Sequence, residues 1–267
     1  MDKKPIKKIS KPVAPVKAKQ TSWGGVGEWY DKLVESDDSY QAKVIRPNLM
    51  RFIGEVKNIH VLDLACGQGY FSRLIREAGA NVVGVDISRE LIAYAKQKAG
   101  ERGIQYEVSP AHKLPFLKSG SIDLVVCVLA FQNIENLADV MKELTRVLSP
   151  KGKIVLVLNH PAFRIPQESD WGFDEKKRIQ YRREDMYMSE KTVSIEMHPG
   201  QKDGEKTISF HRPLQYFFKL FNKHGFAVSR LEEWISHKAS QPGPRQKAED
   251  KARKEFPLFV ALELKKI

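Results

Sequence analysis

The sequence of 267 residues is poor in cysteine: Cys66 and Cys127 are its only two, and neither has a nearby Cys or His partner. That scarcity argues against a disulfide framework and against a zinc site of short ligand spacing, and it points to a reducing compartment. Long apolar runs are missing as well. The longest uncharged one, Leu124 to Phe131, is far below the ~18 residues that a membrane-crossing helix needs. No apolar block follows the basic N-terminus, as a secretory signal would require. Internal repeats are not apparent. These absences predict a soluble, unexported, cytoplasmic chain with no membrane partner and no metal centre. What remains, 42% hydrophobic and 29% charged residues, is the composition of an ordinary globular protein rather than a fibrous or wholly disordered one.

Charge is spread unevenly. Residues 1 to 19 hold seven lysines against one aspartate, which is half of the net charge of +12. Lysine and proline with few large apolar groups cannot offset the entropy of ordering, so residues 1–20 are expected to form a disordered basic arm. Such an arm binds phosphates without sequence choice, so RNA or an acidic protein is a candidate partner, and a solubilising tail is the alternative. Residues 21–267 are expected to form a single domain.

From Val61 onward short β-branched runs alternate with amphipathic stretches, the pattern of a βαβ series with a parallel sheet. Strands are predicted at His60–Leu64, Val82–Asp86, Ile104–Val108, Ile122–Leu129 and Lys153–Leu158. Ser88 and Asn136 are suited to cap two of the intervening helices. The run after Asp123 is apolar at nearly every position, as a central strand covered on both faces should be. Residues 160–212 break the rhythm with ten basic and ten acidic side chains and read as an inserted lid. Order resumes at 213–267 with a helix whose inward face is Leu214, Phe217, Phe218 and Phe221, then strands at Phe226–Leu231 and Leu258–Leu264. The hydrophilic stretch between those strands, His237 to Glu255, reads as a long loop. Upstream, Trp29 to Phe52 reads as one or two helices leaning over the sheet.

Chemistry concentrates in Val61 to Ser72, VLDLACGQGYFS. A strand running into Gly67-Gln68-Gly69 and then a helix sets bare backbone N–H groups at the carboxyl edge of the sheet, where open α/β sheets bind ligands. A dinucleotide fingerprint needs a third glycine three residues after Gly69, and Ser72 stands there. Asp63 at the strand end would repel a pyrophosphate but suits an ammonium or a sulfonium. Asp86 closes the next strand, 19 residues after Gly67, where a carboxylate can accept both ribose hydroxyls.

On these residues the chain resembles the class I S-adenosylmethionine-dependent methyltransferases, especially the broad group with a DLGCGxG first motif, here Asp63-Leu64-Ala65-Cys66-Gly67-Gln68-Gly69. The resemblance covers roughly residues 60–160 and includes Asp86-Ile87, Lys113-Leu114-Pro115-Phe116, and the strand-helix-Pro-x-Gly-x-strand run from Ile122 to Leu158. It implies an α/β fold: a doubly wound, seven-stranded, mostly parallel sheet with the last strand antiparallel. It implies S-adenosyl-L-methionine as cofactor, with Asp63, Ala65, Gly67 and Gly69 around the methionine part, Asp86 on the ribose, Ile87 on the adenine, and Leu129 at the end of the fourth strand. Relatives commonly carry Gly-Asp-Ala before the Leu-Pro-Phe element. This chain has Ser109-Pro110-Ala111-His112, so the adenine edge falls to Ser109, Ala111 or His112.

Methyl transfer needs a base only if the acceptor carries a proton on its nucleophilic atom, and histidine suits that task near neutral pH. His160, just after the fifth strand, and His211, at the exit of the insertion, are the candidates. Gln132, Asn133 and Asn159 lie at strand ends on the cofactor side. Acceptor recognition is expected from the insertion and the N-terminal segment, with Tyr30, Trp171, Tyr181 and Arg182 offering aromatic faces beside guanidinium groups. The same aromatics can merely pack, as can Tyr40. A small-molecule acceptor is favoured, with RNA or protein as the alternative. A nicotinamide-dependent oxidoreductase and a non-catalytic binding module are the readings from other classes.

Overall fold

The computed structural model describes residues 36–196 and 206–267. The basic arm and Tyr30 lie outside the described residues. The sheet is built from β1 (His60–Leu64), β2 (Asn81–Asp86), β3 (Gln105–Val108), β4 (Ile122–Val128), β5 (Leu148–Asn159), β10 (Phe226–Trp234) and β11 (Phe259–Lys266), in the spatial order β10-β11-β5-β4-β1-β2-β3. β1 pairs in parallel with β2 and β4, β2 with β3, and β4 with β5. The last strand, β11, runs antiparallel to both of its neighbours, β10 and β5. The doubly wound sheet expected from the sequence is thus present, and the antiparallel strand is inserted one position from its edge.

Alternation along the central strands sorts side chains to two faces. Leu62, Leu64, Val125, Ile154 and Leu156 pack against α4 (Leu137–Val147) and against Phe217 and Phe221 of α5 (Leu214–Lys223). Val61, Leu124, Val126, Val155 and Val157 pack on the other side against Leu49, Phe52 and Ile53 of α1 (Arg46–Ile53) and Ile75 of α2 (Tyr70–Glu77). A π-helical turn, Gln41–Ile45, leads into α1. Ser88 caps α3 (Arg89–Ala99) by accepting from the Leu91 N–H at 3.2 Å, and Asn136 caps α4 through the Asp139 N–H at 3.3 Å. In α5 it is Leu220 rather than Phe218 that joins the core. Phe218 is exposed because it sits one step round the helix from Phe217.

Two segments depart from the sequence reading. The insertion, to which the sequence reading assigned no strands, contains the hairpin β6 (Ser169–Asp174) with β7 (Ile179–Glu184) and the antiparallel pair β8 (Lys191–Glu196) with β9 (Lys206–His211). The hydrophilic stretch after β10 holds a helix, α6 (Gln246–Glu255), of which only Ala252 is buried. Among the described residues no helix is long and apolar enough to cross a membrane, and no cluster of His, Cys, Asp or Glu could hold a metal ion.

Candidate active site

A cavity opens at the carboxyl ends of β1, β2 and β4, bordered by Asp63, Ala65, Cys66, Gly67, Gln68, Asp86, Ile87, Leu129, Ala130, Asn133 and Ile134, with Gln41 and Phe71 above. The turn that forms its floor needs left-handed backbone: φ is 56° at Ala65, 56° at Gly67 and 76° at Gly69. At Gly69 a Cβ would also lie 2.3 Å from the Tyr106 hydroxyl, so this position is closed to any side chain. Ala65 adopts the same conformation with a Cβ, at a cost of about 1–2 kcal/mol. Ala65→Gly should therefore stabilise the protein by about 1 kcal/mol, seen as a rise of about 2–4 °C in melting temperature.

Asp63 is buried, and its Oδ2 accepts a 2.5 Å hydrogen bond from the Ser72 hydroxyl. Burial, with the charge of Asp86 as a smaller contribution, pushes its carboxyl up to about 7. Asp86 accepts from the Gly67 N–H through Oδ2 and from the Ser88 N–H through Oδ1, each at 2.9 Å, and burial raises its pKa as well. Neither carboxylate has an ion-pair partner among the described residues. The Gln68 side chain is buried too: its Oε1 accepts from the Tyr70 N–H at 2.9 Å, while its Nε2 has no partner among the described residues. Cys66 fills space beside the turn, its thiol pushed up by burial and by the two neighbouring carboxylates. A buried pair of acids with no cation is costly in isolation and is suited to receive a positively charged ligand.

Of the residues expected around the donor, Asp63, Ala65, Gly67, Asp86, Ile87 and Leu129 border this cavity, and so does Asn133 from the acceptor group. Gly69 lies just outside, starting α2. Ser109, Ala111 and His112 do not border it: the Ser109 hydroxyl donates to the Lys113 carbonyl at 2.5 Å, and Ala111 packs on the core. Gln41, Gln68, Phe71 and Ile134 are lining residues that the sequence reading missed. Ser72, read there only as a missing glycine, proves to be the hydrogen-bond donor to Asp63.

The remaining candidates divide between two further cavities. Trp171 and Arg182 border one, together with Tyr40 and Arg164. Gln132, Asn159 and His211 border the other, together with Arg164 and Arg212. Tyr181 lies in neither, spread over Gly172 across the β6–β7 ladder. His160 also borders neither. It is buried, its Nε2 lies 2.7 Å from Oε1 of Glu233, and its Nδ1 accepts from the Ala162 N–H at 3.2 Å. Burial holds its pKa down. His211 donates from Nε2 to the Tyr187 carbonyl at 2.8 Å, which leaves Nδ1 as the basic nitrogen of the neutral ring. Arg212 donates to the carbonyls of Ile134 (2.9 Å) and Glu135 (2.6 Å) and so ties the end of the insertion to the wall of the first cavity.

Comparison with known proteins agrees with this geometry. Residues 62–156 match the family described as Methyltransferase domain. The chain is 29% identical over 157 residues to a demethylmenaquinone methyltransferase of Lactococcus lactis, covering 56% of this chain and 62% of that protein. It is 27% identical over 134 residues to a ubiquinone biosynthesis O-methyltransferase of Ralstonia nicotianae, covering 49% and 56%. These matches span less than two thirds of the curated relatives. A crystal structure of an S-adenosylmethionine-dependent methyltransferase from Mesorhizobium loti superposes with a TM-score of 0.64 at 27% identity, covering 82% of this chain and 95% of that one. The first cavity fits the donor of that family on its own chemistry, because it is lined by two buried carboxylates and the Gln68 amide, which among the described residues have no counter-ion and no partner for Nε2 respectively. Residues 62–156 thus match a methyltransferase domain, and over most of its length the chain is similar in fold to an S-adenosylmethionine-dependent methyltransferase.

Proposed function

We propose that this protein transfers the sulfonium methyl of S-adenosylmethionine to a small molecule held beside the donor cavity. The observation that carries the reading is the pair of buried carboxylates, Asp63 and Asp86, with no cation paired to them among the described residues. When bound, the donor supplies a methyl group on a positively charged sulfur, so the acid–base work left to the protein is small. Asp63, ionised, would take the ammonium end, with Ser72 fixing the orientation of its carboxylate. Asp86 would accept the ribose hydroxyls with the lone pairs that Gly67 and Ser88 leave available. Ile87, half exposed at the rim, offers an apolar surface for the base. Orientation is the main contribution: in-line placement of two reactants can supply about 7–11 kcal/mol.

For an acceptor that carries a proton on its nucleophilic atom, His211 is the residue we assign to take it up at Nδ1. We assign no proton transfer to His160, whose two nitrogens are both engaged. A small-molecule acceptor is supported by the two further cavities and by relatives named for demethylmenaquinone and ubiquinone biosynthesis.

The test combines binding with turnover. Calorimetric titration should give saturable binding of S-adenosylmethionine and S-adenosylhomocysteine and none of NADH. Labelled methyl groups should then appear in the small-molecule fraction of an extract rather than in RNA or protein. Binding of NADH alone would remove the methyltransferase reading, and label confined to RNA or protein would remove the small-molecule acceptor.

A further inference from the structure

The cavity bordered by Tyr40, Phe163, Arg164, Trp171, Arg253 and Phe256 stands apart from the donor site and has a distinct chemistry. Arg164, Arg182 and Arg253 all border it, and no acidic residue among the described ones does. The three guanidinium groups are not equivalent. Arg182 is neutralised by Glu184 at 3.1 Å and held further by the Phe163 carbonyl (3.0 Å) and the Ser169 hydroxyl (2.6 Å). Its guanidinium carbon lies 5.1 Å from the centre of the Trp171 ring, so it backs that indole. Among the described residues Arg164 donates to Oδ1 of Asn159, at 2.9 Å, and Arg253 to the Ser240 hydroxyl, at 3.0 Å. Neither forms an ion pair at contact distance with a described carboxylate, although Arg253 feels the charge of Asp250 one turn back on α6. Burial, together with the like charge of Arg182, pushes Arg164 below the usual guanidinium range. As a residue Arg164 is nonetheless exposed, so its remaining donors are free for a ligand to take from solvent, and an oxyanion would offset the like charge of Arg182.

The walls are as specific as the charges. The Phe256 ring stands edge-on to Trp171 at 5.4 Å and to Phe163 at 5.5 Å. Offset and edge-on rings of this kind receive flat unsaturated bodies, and a guanidinium fork matches the two oxygens of a carboxylate or phosphate ester. The cavity is linked to the donor site through neighbouring residues of one segment. Tyr40 borders it while the adjacent Gln41 borders the donor cavity, and Arg164 is shared with the cavity of Asn159 and His211.

We propose that this cavity is the recognition subsite for the methyl acceptor, and that the acceptor is a flat, unsaturated small molecule bearing an oxyanion gripped by Arg164 and Arg253. The assignment to the acceptor rests on the methyltransferase reading above, whereas the anion preference stands on this cavity alone.

The full chain would be titrated calorimetrically with 1-naphthoate, 1-naphthyl phosphate and the uncharged 1-naphthalenemethanol. At least one anion should bind ten times or more tighter than the alcohol, and which one distinguishes carboxylate from phosphate ester. Arg164→Gln and Arg253→Gln should each weaken the anion at least fivefold, and the double variant should remove the preference over the alcohol. S-adenosylhomocysteine affinity, measured on the same samples, should stay unchanged and so certify that the variants are folded. Equal affinity for alcohol and anions, or variants that bind the anion as tightly as the parent while still binding S-adenosylhomocysteine, would overturn the proposal. Anion binding by a protein that takes no S-adenosylhomocysteine would instead overturn the methyltransferase reading, and with it the acceptor assignment, while the anion site would stand.

Discussion

Asparagine in place of Asp63 should make the donor-free protein more stable and at the same time weaken donor binding by about 100-fold. The Asp63 carboxyl titrates near 7 in the folded chain because it is buried beside Asp86, whereas an aspartate in an unfolded chain titrates near 3.9. Between those values the folded state holds a proton that the unfolded state has lost, so this group's contribution to stability falls as pH rises from about 4 to about 7 and is level above. With about 1.4 kcal/mol per pKa unit, the penalty at pH 8 is a few kcal/mol. Asparagine removes it while its Oδ1 still accepts from Ser72. Thermal melts at pH 5 and pH 8 should show the parent losing stability relative to Asp63→Asn as the pH rises.

Donor affinity runs the other way. A cationic ligand prefers ionised Asp63, so its affinity should climb with pH through about 7 and then flatten in the parent protein. In Asp63→Asn that dependence should vanish, with affinity lower by about 100-fold, the equivalent of about 3 kcal/mol for a lost charge-assisted contact. A variant that binds S-adenosylmethionine normally would refute the role of Asp63.

Asp86→Ala is the second large effect. Its carboxylate ties the glycine turn through Gly67 and the start of α3 through Ser88, both at 2.9 Å, and it is positioned to accept from ribose. Losing hydrogen bonds to a charged group costs about 1.5–3 kcal/mol, which is about 10- to 150-fold in donor affinity. Asp86→Asn keeps one acceptor oxygen but turns an amide N–H₂ toward a backbone donor, so it should fall between parent and alanine. Calorimetry with S-adenosylhomocysteine measures all three. Unchanged affinity for Asp86→Ala would take Asp86 out of the site.

The donor half of this molecule was legible because its signals are local. Apolar runs from Val61 to Leu158 carry their own periodicity, and Asp63, Gly67 and Asp86 fall at strand ends by simple counting. Pairings across the fold were not legible in this way. Ser72 reads as a failed glycine until helix α2 brings its hydroxyl onto Asp63. Helix α6 escaped detection because it is written almost entirely in charged and polar helix formers, with Ala252 alone buried and no apolar stripe to reveal the period. Strands β6 and β7 were hidden for a related reason: neither of their faces is buried, and charges such as Arg182 and Glu184 interrupt the alternation. The arginine-lined cavity draws on positions as distant as Tyr40, Arg164 and Arg253, which no window of sequence brings together.

The insertion enters and leaves the sheet at two fastened points. His160 donates its backbone N–H to the Leu258 carbonyl at 2.9 Å, and Arg212 grips the chain at Ile134 and Glu135. Between these bolts the polypeptide can lengthen, shorten or change its lettering at a small, slowly growing entropic charge, while the frame below keeps its shape. On the proposed function, the stretch from Pro161 to His211 would be an interchangeable nozzle on a fixed tap, a place where new tastes in cargo could evolve without retooling the methyl supply.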